Sequence, residues 1–289
     1  MKKEYMMAAV TVLLWSTLSA VSKLLINGLT PMSVLFYTSA IASVTLFLID
    51  IISNGISFYQ QYTWKDYGKM IALGFLGLFC YTALYYIGLA NLTSQIACII
   101  NYMWPMMIIL FSCIILKETL TVKKLTSIAI SFSGMIVICA QGTAAGFSKE
   151  NMLGMAACFL AAICYGIYSV LNKKINYNQW MVLHIAFTVT AFISGIYCAT
   201  THTLGHLDGF AIWGMLWIGI FVNAIAYVLW GIALNRGETA KISILAYLCP
   251  FLSLVFGRIL LGEKIAPLSF LGLVLIIGGV LLQTKEADS

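Results

Sequence analysis

Ten long apolar runs, each about the length of one bilayer crossing, take up most of the 289 residues. They predict helical spans over residues 5–26, 32–52, 68–89, 94–116, 123–141, 151–172, 179–200, 211–234, 240–261 and 268–284. The runs are continuous. A membrane β-barrel would instead alternate apolar and polar residues over segments of about ten. Polar residues gather in the gaps, and the longest gap, 53–67, is polar and aromatic and holds Asn54 and Gly55. Pro31 and Pro267 stand where the second and tenth helices begin, at positions where a missing N–H costs nothing.

The pattern repeats. Asn101-Tyr102-Met103-Trp104-Pro105 is matched 145 residues later by Ala246-Tyr247-Leu248-Cys249-Pro250. Each proline is followed thirteen residues on by a glutamate, Glu118 or Glu263. Phe111 and Phe256, Leu116 and Leu261, and Gly134 and Gly279 keep the same offset. Nearer the start the offset is 150, pairing Ser19 with Ser169, Lys23 with Lys173 and Trp15 with Tyr165. A duplicated unit with an odd number of spans crosses the membrane in the opposite sense to its copy. The pattern therefore predicts an all-α membrane protein of two inverted five-helix repeats around a central cavity. The repeats occupy 1–146 and 147–289 and form one membrane domain, with a site at the midplane between them.

Composition excludes the soluble classes. The apolar fraction is 62% and the charged fraction 9%, against about 45–50% and about 25% in soluble domains. Ten spans leave no room for a separate catalytic or nucleotide-binding domain. The eight cysteines all lie in apolar runs without a Cys-x-x-Cys pair, so they read as packing residues, and no metal or cofactor is expected. The net charge of +6 is a topology signal with no nucleic-acid partner behind it. With the N-terminus inside, twelve basic residues fall on the inner side and four on the outer, which puts both termini in the cytoplasm of a multi-pass cytoplasmic-membrane protein. Trp64, Trp180 and Trp213 lie near span ends, as interfacial aromatics do. Lys2, Lys3 and the apolar run before Ser19-Ala20 resemble a signal peptide, but Trp15, Ser19 and Lys23 belong to the repeat, so the segment is expected to stay.

Candidate chemistry lies inside the spans. Pro105 and Pro250 each fall mid-helix and predict paired hinges, because each removes a backbone hydrogen bond and crowds the carbonyl four residues back. Polar and aromatic residues recur at helical spacing: Trp15 and Ser19 on the first span, Tyr81 and Tyr85 on the third, and Asn101, Tyr102 and Trp104 on the fourth. The sixth span carries Tyr165 and Tyr168, the eighth Asn223, Tyr227 and Trp230, and the ninth Tyr247. These six spans are expected to line the cavity, with the aliphatic fifth and tenth packed outside. Polar groups in a bilayer core face protein or water. Every carboxylate, Asp50, Glu118 and Glu263 included, falls at a span end or in a loop, so no buried acid is available for proton exchange. Glu118 and Glu263 are expected to cap the next helix or to pair with Lys124 or Lys264. His184 reads as a packed residue. No His–carboxylate or Ser–His cluster points to an enzyme.

Two five-helix repeats, each with a Tyr-x-x-Pro helix ending in Leu-x-Glu (Leu116-Lys117-Glu118 and Leu261-Gly262-Glu263), resemble the EamA-like drug/metabolite transporter superfamily over nearly the whole chain. The string from Asn101 to Pro105 is similar to the aromatic amino-acid exporter branch, although Tyr165 stands where that branch has Trp. The resemblance implies a basket of helices around a cavity and ATP-independent export of small metabolites, with neutral or aromatic amino acids first. Efflux of aromatic organic cations is the alternative, and lipid or nucleotide-sugar transport a distant one. The absence of a core carboxylate favours uncoupled transport, and a monomer is favoured.

Overall fold

The computed structural model describes residues 3–119, 121–144, 148–175, 177–236, 245–246 and 248–284. Among these residues the chain forms helices and their linkers only. The helices are α1 (Lys3–Ile26), α2 (Pro31–Asn54), α3 (Trp64–Asn91), α4 (Ser94–Ile115), α5 (Val122–Ala144), α6 (Lys149–Ile175), α7 (Gln179–Thr201), α8 (Gly209–Ala233), α9 (Leu248–Leu261) and α10 (Pro267–Thr284). Seven of them, α1–α4 and α6–α8, are long and apolar enough to cross a bilayer. The linkers are short, so successive helices run antiparallel.

Local chemistry sets the ends. Thr30 caps α2 by accepting from the Ser33 N–H at 3.2 Å, with Pro31 at the first turn. Gly55, at φ 73°, closes the same helix. A capping box of Thr63 and Asp66 starts α3 at Trp64, four residues before the expected start at 68. The Thr-x-x-Asp spacing was legible there but sits outside the apolar run. The expected 53–67 loop shrinks to a short 3₁₀ turn, Ile56–Gln61.

The repeat appears as mirrored contacts. A Cβ on Gly74 would stand 2.6 Å from Ala186, and one on Gly219 would stand 2.6 Å from Ile41. Adding or subtracting 145 turns the first pair into the second. Likewise a Cβ on Gly134 would lie 2.6 Å from the Gly272 carbonyl oxygen, and one on Gly279 would lie 2.6 Å from that of Ser127. Two contacts join residues to their own counterparts: Ser43 and Thr188 share a hydroxyl bond of 2.7 Å, and Ser131 donates to the Ile276 carbonyl at 3.1 Å. Such self-paired contacts lie on a pseudo-twofold axis. It runs between α2 and α7 at one side of the bundle and between α5 and α10 at the other. The inverted five-helix architecture is therefore built around small residues that let paired backbones approach.

The same symmetry places two wide-turn segments. Phe75–Cys80 in α3 and Trp217–Ile225 in α8 form π-helical turns at matched places in the two repeats. Such turns are rare and collect at functional sites. Each leads directly into the half of its helix that faces the bundle interior.

Adjacent glycines in α10 test this packing. Nothing lies within 4 Å of a Cβ on Gly278, whereas Gly279 is held against α5. Gly279→Leu should lower the melting temperature of purified protein by several degrees, on the order of 1–3 kcal/mol of overpacking. Gly278→Leu should leave it nearly unchanged, as read by scanning fluorimetry in detergent.

Candidate functional site

A cavity of about 300 Å³ opens inside the bundle. Its wall takes Trp15, Leu18 and Ser19 from α1, Tyr81 and Tyr85 from α3, and Cys98, Asn101, Tyr102 and Trp104 from α4. Tyr165, Tyr168, Ser169 and Asn172 come from α6, Gln179 and Leu183 from α7, Tyr227 and Trp230 from α8, and Ala246 and Ser253 from the ninth span. α2, α5 and α10 contribute none of these residues.

A break shapes the wall. α4 consists of two half-helices, Ser94–Asn101 and Trp104–Ile115, joined by a tight turn at Tyr102 and Met103. Pro105 opens the second half, where its missing N–H is tolerated, so it marks a break in α4 and not a bend in a continuous helix. The turn stays satisfied: the Tyr102 N–H donates to the Cys98 carbonyl at 3.0 Å and that of Met103 to Ile100 at 3.0 Å. Pro250 is the third residue of α9 as described, and residue 247 just before that helix lies outside the described residues. The two hinge candidates thus stand beside the cavity at matched places.

The rings pack in two groups. Trp15 lies 5.2 Å from Tyr227 and 5.3 Å from Trp230, centroid to centroid. Tyr165 lies 4.9 Å from Tyr81, 5.3 Å from Trp104 and 5.7 Å from Tyr168. A Cβ on Gly77 would fall 2.1 Å from the Tyr168 ring, so that ring lies flat across the π segment of α3. The wall also holds polar atoms without partners. The Trp15 indole nitrogen, the Ser19 hydroxyl and the side-chain oxygens of Asn101 and Asn172 are buried and unbonded. Asn101 is oriented by its amide, which donates to the Tyr81 hydroxyl at 3.0 Å. No charged side chain belongs to the wall among the described residues.

The cavity is asymmetric along the membrane normal. It reaches Asn172, one turn from the end of α6, and Gln179, the exposed first residue of α7. Both lie at the face that carries the start of α1. At the opposite face Leu25, Tyr86, Leu89 and Leu92 are buried in one apolar cluster above the cavity. There α3 and α6 touch closely, with the Cys158 sulfur 2.2 Å from a Cβ built on Gly88. Among the described residues the cavity extends to one face and is sealed toward the other.

Eleven of the thirteen residues expected to bind substrate lie in this wall: Trp15, Ser19, Tyr81, Tyr85, Asn101, Tyr102, Trp104, Tyr165, Tyr168, Tyr227 and Trp230. Asn223 does not. It sits half-buried in the π segment of α8, where the widened turn rotates it out of the α-helical register shared with Tyr227 and Trp230. Tyr247 lies outside the described residues. Gln179 and Leu183 were missed because α7 shows no aromatic stripe, and Ser253 because a lone serine in an apolar run carries no signal. Asp50 stands near the end of its span, as expected, but is buried there. α2 continues to Asn54, so Asp50 lies one turn inside it, 1% exposed, and accepts from the Tyr59 hydroxyl at 3.1 Å. Burial and the Asp50 charge push the Tyr59 phenol well above its ordinary range. His184 is packed as expected, stacked 5.6 Å from Phe47 with its Nδ1 3.2 Å from the Ser43 carbonyl.

Comparison with known proteins fits this architecture. A sequence model of the EamA-like transporter family matches twice, over residues 2–140 and 152–284. An uncharacterised transporter of Archaeoglobus fulgidus is 26% identical, covering 98% of this chain and 99% of its own. The aromatic amino acid exporter YddG of Ancylobacter novellus is 27% identical over 74% of this chain and 75% of its own. A probable terminal-alkyne amino-acid exporter of Streptantibioticus cattleyicolor is 28% identical over 75% and 73%. A crystal structure at 21% identity superposes with a TM-score of 0.72 over 99% of both chains, a likeness of fold alone. With its fold, its internal repeat and both halves matched, the chain belongs to the EamA-like transporter family.

Proposed function

We propose that this transporter is a secondary exporter of small metabolites, with neutral or aromatic amino acids as its substrates. One observation carries the reading: a wall of aromatic rings holds unpartnered donors and acceptors and, among the described residues, no charged side chain. A buried polar atom without a partner costs about 1–3 kcal/mol, so such atoms call for a ligand or water. The Trp15 N–H and Ser19 hydroxyl suit a carboxylate, and the Asn101 and Asn172 oxygens suit an ammonium group. The rings on either side suit an apolar or aromatic side chain. A substrate with net charge would lose its hydration with no counter-charge in return, which favours a molecule of zero net charge. The names of the amino-acid exporters among its relatives agree with this reading.

The two repeats, 1–146 and 147–289, alternate access by rocking about hinges beside Pro105 and Pro250. The open face is the cytoplasmic one, with both termini on it, in the cytoplasmic membrane. The unit is a monomer. Among the described residues no acid lines the cavity, so transport runs down the substrate gradient without obligate proton exchange. A second reading, efflux of aromatic cations, draws on the same rings, which would hold a cation by its attraction to their faces.

In liposomes loaded with unlabelled tryptophan, labelled tryptophan should enter far faster than into protein-free vesicles and at the same rate with or without a pH gradient. Trp15→Ala should slow it about tenfold, equivalent to about 1.4 kcal/mol of lost ring contact. Uptake no faster than in protein-free vesicles defeats the substrate assignment, and a cationic dye that tryptophan does not displace favours the second reading. Asp50→Asn should keep exchange within about twofold and leave it insensitive to pH gradients, since Asp50 is not in the cavity wall. A loss of gradient-driven flux in that variant would show coupling through Asp50.

A further inference from the structure

Neither of the two Leu-x-Glu glutamates belongs to the cavity wall. Glu263 lies in the linker between α9 and α10. Its Oε1 accepts from the Ser94 N–H at 2.7 Å, and its Oε2 accepts from the Ser94 hydroxyl at 2.9 Å and the Gln95 N–H at 3.2 Å. Ser94 and Gln95 are the first two residues of α4. The carboxylate therefore caps the N-terminus of a helix 169 residues away, in the other repeat, and neither its own next helix nor Lys264. The helix dipole and free N–H groups there favour a negative group. The fit is close: a Cβ on Gly257 would lie 2.9 Å from the Ser94 hydroxyl and 3.2 Å from Glu263 Oε2. Lys23 of α1 lies within electrostatic reach of Glu263 and donates to the Leu89 carbonyl at the end of α3. The ends of α1, α3, α4 and α9 are thus tied together at the sealed face.

At the open face Glu118 meets lysines among the described residues. It pairs with Lys124 at 3.2 Å and Lys173 at 3.9 Å, and its side chain is 40% exposed. Lys173 is the repeat counterpart of Lys23, and Glu118 that of Glu263. Both faces carry the same lysine–glutamate set. At the sealed face the glutamate grips a helix start; at the open face the counterparts of Ser94 and Gln95, Thr239 and Ala240, lie outside the described residues.

We propose that Glu263 is the latch of the sealed mouth, and that its release from Ser94 and Gln95 is the step that lets this mouth open. α4 supplies the cavity wall through Cys98, Asn101, Tyr102 and Trp104, and its first half is a rod of eight residues ending at the break. Holding the start of that rod holds the wall above the substrate. The inference rests on the alternating-access reading but not on any particular substrate.

The test uses full-length protein with the native cysteines replaced and one reporter, Leu89→Cys, placed at a fully buried position in the sealed mouth. A membrane-impermeant maleimide is applied to each side of sealed vesicles, and the initial labelling rate is read. Glu263→Gln and Glu263→Ala should raise the rate from the latched side about fivefold or more. Ser94→Ala, which removes one of three bonds, should raise it about twofold, and Glu118→Gln should not raise it. A second reporter, Met70→Cys, buried toward the other face, should be unchanged. Labelling at the parent rate in the Glu263 and Ser94 variants overturns the latch. So does a rise at both reporters, which marks general loosening. Should the Glu263 variants fail to fold, Ser94→Ala decides alone. Tryptophan exchange by the Leu89→Cys parent is measured in parallel, so failure of the substrate assignment is seen separately from failure of the latch.

Discussion

In hydrocarbon a backbone N–H that leaves its helix has no water to bond, and this constraint decides where the bundle is allowed to be irregular. The irregular backbone gathers around the cavity: the turn between the halves of α4 and the π segments of α3 and α8. At the α4 turn the freed donors reach back to Cys98 and Ile100, so the break costs little. It also swings Asn101, Tyr102 and Trp104 onto one wall. Without breaks the ten spans would pack as rods with no room at the centre. The cavity is a product of compensated backbone defects placed in pairs by duplication.

The pairing depends on small side chains. Where Gly74 meets Ala186 and Gly219 meets Ile41, a larger residue on the glycine would push the mirrored helices apart. The self-paired contacts of Ser43 with Thr188 and Ser131 with Ile276 fix the axis through hydroxyls, which find partners across helices when no water is near. α5 and α10 close one side of the bundle and leave the cavity to the helices that carry aromatic rings.

Much of this was legible in the residues because repetition is a strong signal. Matched Pro105 and Pro250, Glu118 and Glu263, and Gly134 and Gly279 revealed the duplication, and aromatic spacing placed most of the cavity wall. What escaped notice is non-local or rests on backbone geometry. Ser94 and Glu263 are 169 residues apart, and neither neighbourhood announces the other. Asn223 was placed by α-helical spacing, which the π turn of α8 breaks. Gln179 opens a helix with no stripe of rings. The burial of Asp50 near the end of its helix does not show in apolar patterning.

A cavity wall with no charged side chain among its described residues has a consequence for energetics in a polarised membrane. Moving one elementary charge through 100 mV is worth about 2.3 kcal/mol, roughly a fiftyfold bias in a rate or a gradient. A carrier that brings no fixed charge of its own across the field, loaded with a molecule of zero net charge, is blind to that voltage. Its direction is set by concentration alone. On the proposed reading such a protein is a relief valve, passing an accumulated solute until the two sides match and then idling at no cost to the cell's electrical reserves.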